Sequence, residues 1–456
     1  MRSARSNREF APRWVHFLFG FLFLGGILFL GFVPAQKDFL SILLPYLGTF
    51  GLAIFAFAYA NDSNSLRFWL GVAIMARLLL VFSFPNLSDD IYRFVWDGRL
   101  INAGLNPFNH LPSYYLEEVN TVNGITQSLY EQLNSPNYFT IYPPLAQLSF
   151  ATATWLFPSS LWGSALVMKL FLFAFEVGNL VLIGKLLQHF SLNANNLLLY
   201  ALNPLILIEI SGNLHFEGAM IFFLLLAYWL LIQSKWQLSA IFFALSIASK
   251  LLPLMFLPFL LRRLGWKRAF FYYLFLGFTL VLLFAPLLST VFFNNFGDSL
   301  NLYFRRFEFN GSIFNLAKWI GYQRVGYNLI KSIGPLLALC TLFGILLAML
   351  IERKPNCRTF PLMCLLAISL YLFNTPTVHP WYVCLPLVLC LFTDFRYPII
   401  WSVLIVFTYV NYSYPDYYEN KWVIWVEYGI VWLLIAIEWR KSYLKARSTE
   451  VQPPPL

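Results

Sequence analysis

Long uninterrupted apolar blocks decide what this chain can fold into. The stretch from Trp14 to Phe32 holds no charged side chain, and similar blocks recur almost to the C-terminus. Blocks of about 15–25 residues match the ~30 Å of bilayer hydrocarbon at 1.5 Å rise per helical residue. In lipid every backbone N–H and C=O needs an internal partner, so such blocks must be helices. A transmembrane β-barrel would show short alternating segments instead. Only 11% of the 456 residues are charged, against roughly a quarter in a soluble domain, which leaves too little polar surface for a water-exposed globule. The expected fold class is all-α: one polytopic integral membrane domain over 1–456, with about 13–14 helices.

Charge placement gives the expected orientation. Fifteen of the 31 Lys and Arg fall in four clusters: Arg2/Arg5/Arg8/Arg13, Arg262/Arg263/Lys267/Arg268, Arg353/Lys354/Arg358 and Arg440/Lys441/Lys445/Arg447. The positive-inside rule puts all four in the cytoplasm, with both termini. The excess of +10 therefore needs no nucleic-acid partner. The block at 14–32 is too long for the core of a signal peptide and lacks a small-residue cleavage site, so it reads as a retained helix. Cys340, Cys357, Cys364, Cys384 and Cys390 show no paired spacing and read as small apolar residues.

Helices are expected at about 14–34, 38–60 and 66–85, then at 268–291, 329–351, 359–374, 380–393, 397–411 and 421–439. Two polar stretches fall on the outer face: a first loop, 86–142, with short helices along the membrane surface, and a second, 292–328. The middle, 143–262, must cross an odd number of times. Either 144–158 and 237–262 are both single spans, or the first is interfacial and the second a hairpin of short helices. The second option is preferred because it keeps Lys185 and Lys235 inside, and it puts His215, Glu217 and Lys250 outside.

The first loop opens on Ser88-Asp89-Asp90-Ile91-Tyr92-Arg93-Phe94-Val95-Trp96-Asp97-Gly98-Arg99. Ser88 reads as an N-cap, with acids in the first turn. On a helix Asp90, Arg93 and Asp97 share a face, and Asp89 reaches Arg93 at i+4. Such a cluster either caps a surface helix or brings carboxylates to a reaction at the lipid–water boundary. A turn around Asn106-Pro107 follows, and Tyr142-Pro143-Pro144 closes the loop. Farther on, Lys250 lies in an apolar run, where a lysine costs several kcal/mol unless it is paired or reaches water.

These residues carry a resemblance. "SDDIYRFVWDGRLINAGLNPF … YPPLAQ", then "NLHFEGAM", "ASKLLPLMFLPFLLRR" and "TVHPWYVCLPLVL", in that order, resemble GT-C glycosyltransferases. The likeness is to bacterial polyprenyl-phosphate-mannose mannosyltransferases and, more loosely, to the first mannosyltransferase of GPI-anchor synthesis. It implies inverting transfer of a hexose, mannose being expected, from a polyprenyl-phosphate donor to a glycolipid, glycan or protein acceptor at the outer face of a bacterial inner membrane. An acceptor hydroxyl would attack the anomeric carbon while lipid phosphate leaves from the opposite face. That chemistry needs a carboxylate base and cations at the departing phosphate. The base candidates are Asp89 and Asp90, with Asp90 favoured because it shares a helical face with Arg93. Arg93, Lys250, Arg305, Arg306 and His379 are the phosphate candidates. Asp97, Arg99, Tyr142, His215, Glu217, Trp381 and Tyr382 are the substrate-binding candidates, Trp96, Tyr142 and Trp381 as rings that stack on a sugar. No cofactor and no metal are expected, since no His/Asp/Glu set shows ligand spacing. The rival readings are a transporter or flippase, against which the absence of a visible internal repeat counts, and a membrane assembly protein without catalysis.

Overall fold

The structure, a computed structural model, describes residues 11–305, 307–415 and 418–450. It is helical, and the one extended pairing among the described residues is an isolated bridge between Phe309 and Thr377. Three helices open the chain: α1 (Arg13–Phe32), α2 (Phe39–Tyr59) and α3 (Ser63–Leu80). The Asp62 carboxylate caps α3 by accepting from the Asn64 and Ser65 N–H groups at 2.7 and 2.9 Å. This helix stops at Leu80, short of the expected end at Pro85. The first loop folds as α4 (Asp90–Asn102), two 3-10 turns and α5 (Gln127–Glu131), and α6 (Pro144–Leu156) follows it. Next come α7 (Leu161–His189), α8 (Leu198–Ala201), a π-helical stretch Ile206–Gly212, α9 (Glu217–Ile232) and α10 (Trp236–Ser249). Helix α11 (Leu257–Phe284) is broken at Gly265, whose φ of 73° suits glycine alone. Beyond it the second loop holds two helices, α12 (Phe292–Arg305) and α13 (Ile313–Val325). The remaining helices are α14 (Ile330–Ile351), α15 (Phe360–Asn374), α16 (Cys384–Cys390), α17 (Tyr397–Leu404) and α18 (Lys421–Glu450).

Among the described residues six helices are long and apolar enough to cross a membrane, and Ala194–Ala201 with Ile206–Gly212 forms a further pair bent by 57°. Shorter apolar helices fill the spaces between them. Large apolar side chains such as Phe21, Phe278, Phe343 and Leu347 stand exposed on α1, α11 and α14. A soluble protein would not present such contiguous faces to water; this is a membrane protein. Two buried cations near the end of α3 are paired. Arg77 on α3 binds Glu176 on α7 at 3.0 Å, both fully buried, and also donates to the Ala201 carbonyl at 2.7 Å. Lys169 donates to the carbonyls of Leu80 and Ser83, capping the end of α3.

Long-range hydrogen bonds sort the connections into two opposite ends. At one end Arg262 donates to the carbonyls of Met349, Leu350 and Glu352, Arg358 to that of Phe190, and Lys445 pairs with Asp394. At the other end Gln36 donates to the Leu87 carbonyl, Leu87 N–H to Asn213, Asn295 to the carbonyls of Phe108 and Asn109, and Ser299 to that of Phe139. The described basic clusters after α1 gather at the first end, and both polar loops gather at the second.

Helix α6 does not join the two ends. It lies along α4, held by Asn102, which donates to the Ala151 carbonyl and to Thr154. Gly98 makes this approach possible, since a Cβ there would sit 2.4 Å from the Phe150 carbonyl oxygen. Segment 237–262 is a hairpin: α10 runs up to Lys250, whose backbone is extended (φ −155°, ψ 142°), and the chain turns at Pro253 and descends to Arg262.

Candidate active site

Helix α4 begins at the loop end with Asp89 as its N-cap, though the Asp89 side chain makes no capping bond. Asp89 is exposed to solvent. Crowding by protein, and then the charge of Asp90, raise its carboxyl above the ordinary range. Asp90, one step on, points inward. Its Oδ1 accepts from the Asn134 amide at 2.8 Å, and its Oδ2 lies 4.0 Å from His215 Nδ1. Its side chain keeps 17% of its surface exposed.

Four distant parts of the chain meet at this point. His215 comes from the turn between the π-helical stretch and α9. Glu217 opens α9, and Lys250 follows α10; because these helices are antiparallel neighbours, the start of one lies beside the end of the other. Lys250 Nζ bonds Glu217 Oε1 and sits 5.4 Å over the Tyr382 ring. Glu217 is fully buried, whereas the Lys250 side chain is 20% exposed. From the segment after α15 come His379, Trp381 and Tyr382. His215, Trp381 and His379 form a stack, with centroids 3.7 Å and 4.4 Å apart and tilts of 18° and 3°. Phe309 of the second loop covers the far face of His379 at 4.8 Å. Both faces of Trp381 are thus occupied, and it cannot take a sugar ring by stacking.

Burial is the main influence on both imidazoles. It lowers His215 to about 4, offset in part by the charges of Glu217 and Asp90. It lowers His379 to about 3, reinforced by His215 and Lys250. Both are neutral at physiological pH.

Other sequence candidates hold the loop. Arg93 pairs with Asp97 at 3.0 Å rather than with Asp89, and donates to the carbonyls of Ser135 and Tyr138. Asp97 is fully buried and also accepts from Thr140 and Gln147. Arg99 donates to the Gly124 carbonyl. Tyr142 packs edge-on against Phe94 and Phe150, and Trp96 is buried beside Tyr130. Arg305 ends α12, while its side chain and all of Arg306 lie outside the described residues.

The sequence reading missed Glu209. It lies in the π-helical stretch, buried, with Oε2 3.3 Å from His215 Nε2 and Oε1 accepting from Tyr409 at 2.7 Å. A lone carboxylate in the apolar run Ile206–Ile210 is the same signal that marks Lys250. Several buried side-chain atoms without a hydrogen-bond partner fall here: His215 Nε2, Glu209 Oε2, Asn213 Nδ2, Glu217 Oε2 and His379 Nδ1. Buried polar groups are normally paired, and such concentrations mark sites built for a ligand or a proton. Chemically the cluster offers a partly exposed carboxylate, one partly exposed cation and two neutral imidazoles. Among the described residues no group of three or more His, Cys, Asp or Glu is placed to hold a metal ion.

Residues 28–265 match the family model described as alpha-(1->6)-mannopyranosyltransferase, N-terminal domain. The matched region carries Asp89, Asp90, Glu209, His215, Glu217 and Lys250; His379 and Trp381 lie beyond it. No curated protein matches the chain.

Proposed function

The chain belongs to the alpha-(1->6)-mannopyranosyltransferase family, and from that premise we propose that it moves mannose from a polyprenyl-phosphate donor to the 6-hydroxyl of a glycan or glycolipid acceptor, by inversion, at the outer face of the membrane. Asp90 is the general base. It takes the acceptor proton as the hydroxyl oxygen attacks the anomeric carbon, and the bond to phosphate breaks with its electron pair going to the phosphate oxygen. Lys250 meets that developing charge. Its ammonium is already held by Glu217 and is the partly exposed cation of the cluster. His379 and Trp381 wall the site, and Asp97, Arg93 and Arg99 keep the first loop folded over it. The observation that carries this reading is the meeting of Asp90 and Lys250 around His215, from segments far apart in sequence.

The outer-face assignment is supported by the basic clusters, which gather at the end away from Asp90. A membrane-impermeant maleimide tests it on Val119→Cys, since Val119 is 94% exposed in the first loop. Labelling of intact cells is expected, and labelling only after permeabilisation would reverse the orientation.

The chemical test is radiolabelled mannose transfer from polyprenyl-phosphate mannose by the purified protein in detergent. Asp90→Asn is expected to lower the rate about 10²–10⁴-fold, and Asp89→Asn much less. Full activity of Asp90→Asn would remove Asp90 from the role.

A further inference from the structure

The base does not stand alone. His215 stands between two carboxylates, its Nδ1 4.0 Å from Asp90 Oδ2 and its Nε2 3.3 Å from Glu209 Oε2, and neither contact is a closed hydrogen bond. The chain takes unfavourable backbone conformations to build this arrangement. Ile206–Gly212 is π-helical, a form seen mostly as short insertions at functional sites. Asn213 N–H reaches back to the Ile208 carbonyl at 2.8 Å, and His215 N–H to the Glu209 carbonyl at 3.2 Å. Leu214 between them has φ of 65°, a left-handed conformation that a leucine adopts only when its surroundings force it. An ordinary α-helical continuation would carry Glu209 and His215 apart. The wide turn brings the carboxylate to within 3.3 Å of the ring's Nε2. Tyr409 then occupies Glu209 Oε1, leaving Oε2 for the imidazole.

We propose that Glu209 is a positioning residue of a Glu209–His215–Asp90 relay that carries the acceptor's proton away from the base. The inference rests on Asp90 being that base. Glu209 Oε2 is the anion beside Nε2, at 3.3 Å and not aligned as a hydrogen bond in the resting site, and its charge favours the tautomer with the proton on Nε2 and the Nδ1 lone pair toward Asp90. During transfer the acceptor O–H bond breaks and its proton passes to the Asp90 carboxylate. The acceptor oxygen bonds the anomeric carbon, and phosphate departs with the electron pair of the broken C–O bond. Asp90 then passes the proton to His215 Nδ1, regenerating its carboxylate, and the imidazolium is held by Glu209 until the proton leaves with solvent. The charged or titratable groups around His215 are Asp90 from α4, Glu209 from the π-helical stretch, Glu217 from α9, Lys250 after α10 and His379 across Trp381.

Glu209→Gln tests the relay. With its carbonyl kept on Tyr409, the new amide turns its N–H toward Nε2 and moves the ring proton to Nδ1, the wrong tautomer. The expected result is a fall in kcat on the order of 10²-fold at nearly unchanged KM for the polyprenyl-phosphate donor, with partial recovery in Glu209→Asp. His215→Gln is expected to lose as much, and the double variant no more than either. A purely structural Glu209 would instead reduce the folded yield and its effect would add to that of His215→Gln. Wild-type kcat per folded molecule in Glu209→Gln, with Asp90→Asn inactive, would overturn the relay and leave the base in place. An active Asp90→Asn would remove the base assignment itself, so the two failures are distinguishable.

Discussion

Lys250 and Glu217 pair across the antiparallel α9–α10 hairpin, with the carboxylate buried and the ammonium reaching the solvent-facing side. The pair explains how a lysine ends an apolar helix. Glu217 offsets most of the cost of burying it, and the remaining exposure leaves it able to meet an anion.

Removing only one partner leaves the other stranded. Lys250→Met is expected to destabilise the protein by about 3–5 kcal/mol through the uncompensated Glu217 carboxylate. The double variant Lys250→Met/Glu217→Gln is expected to recover most of that stability but not the transferase rate. Thermal unfolding in detergent, followed by tryptophan fluorescence, checks the first effect, and the mannose-transfer assay the second. A double variant that regained activity would exclude Lys250 from phosphate binding.

Gly98 sets the distance between α4 and α6. Its replacement by Ala puts a Cβ 2.4 Å from a backbone carbonyl oxygen, which no side-chain rotation relieves. A loss of about 1–3 kcal/mol is expected from such overpacking. The transfer rate per folded molecule should fall too, because α4 carries Asp90. An unchanged melting temperature for Gly98→Ala would show that the helices separate freely.

Asp97→Asn tests the loop anchor. Asp97 is fully buried and accepts from Arg93, Thr140 and Gln147. Neutralising it leaves the buried Arg93 guanidinium without a compensating negative charge and sets an amide NH2 against the donors that faced the carboxylate, at a cost of about 3–5 kcal/mol. Limited proteolysis should then cut faster between Asn134 and Thr140. Equal cleavage rates for wild type and variant would contradict the anchoring role.

Acid should destabilise the protein through its buried histidines. An unfolded imidazole titrates near 6.5, whereas burial lowers His215 to about 4 and His379 to about 3. Below pH ~6.5 the unfolded state binds more protons, so stability is fully present above that pH and is lost as pH falls toward 4. Melting temperatures from pH 7.5 to 4.5 should show this slope, and His379→Gln should flatten it. An identical slope in that variant would assign the acid sensitivity to other groups.

Much of the candidate site was legible because its polar residues are out of place in their sequence surroundings. Lys250 stands out in an apolar run, His215 and Glu217 between two such runs, and Asp90 at the start of the most polar stretch. Other roles were not legible. Arg93 has an acid four residues away on each side, Asp89 and Asp97, and sequence spacing treats them alike. Burial chooses Asp97, since that carboxylate points into the packed α4–α6 layer while Asp89 faces solvent. Trp381 reads as a sugar-stacking ring until the two imidazoles are found on its faces.

By itself the sequence determined the helical membrane class, the polar loop that opens on Asp89 and Asp90, and the segregation of basic clusters from that loop. These follow from local hydrophobicity and charge, and lipid enforces them residue by residue. Only the tertiary structure decided that Glu209 lies beside His215 Nε2, that Lys250 is paired with Glu217, and that His379 meets His215 across Trp381. Those meetings depend on which helices pack together and on a π-helical turn, and hydrophobic pattern alone encodes neither.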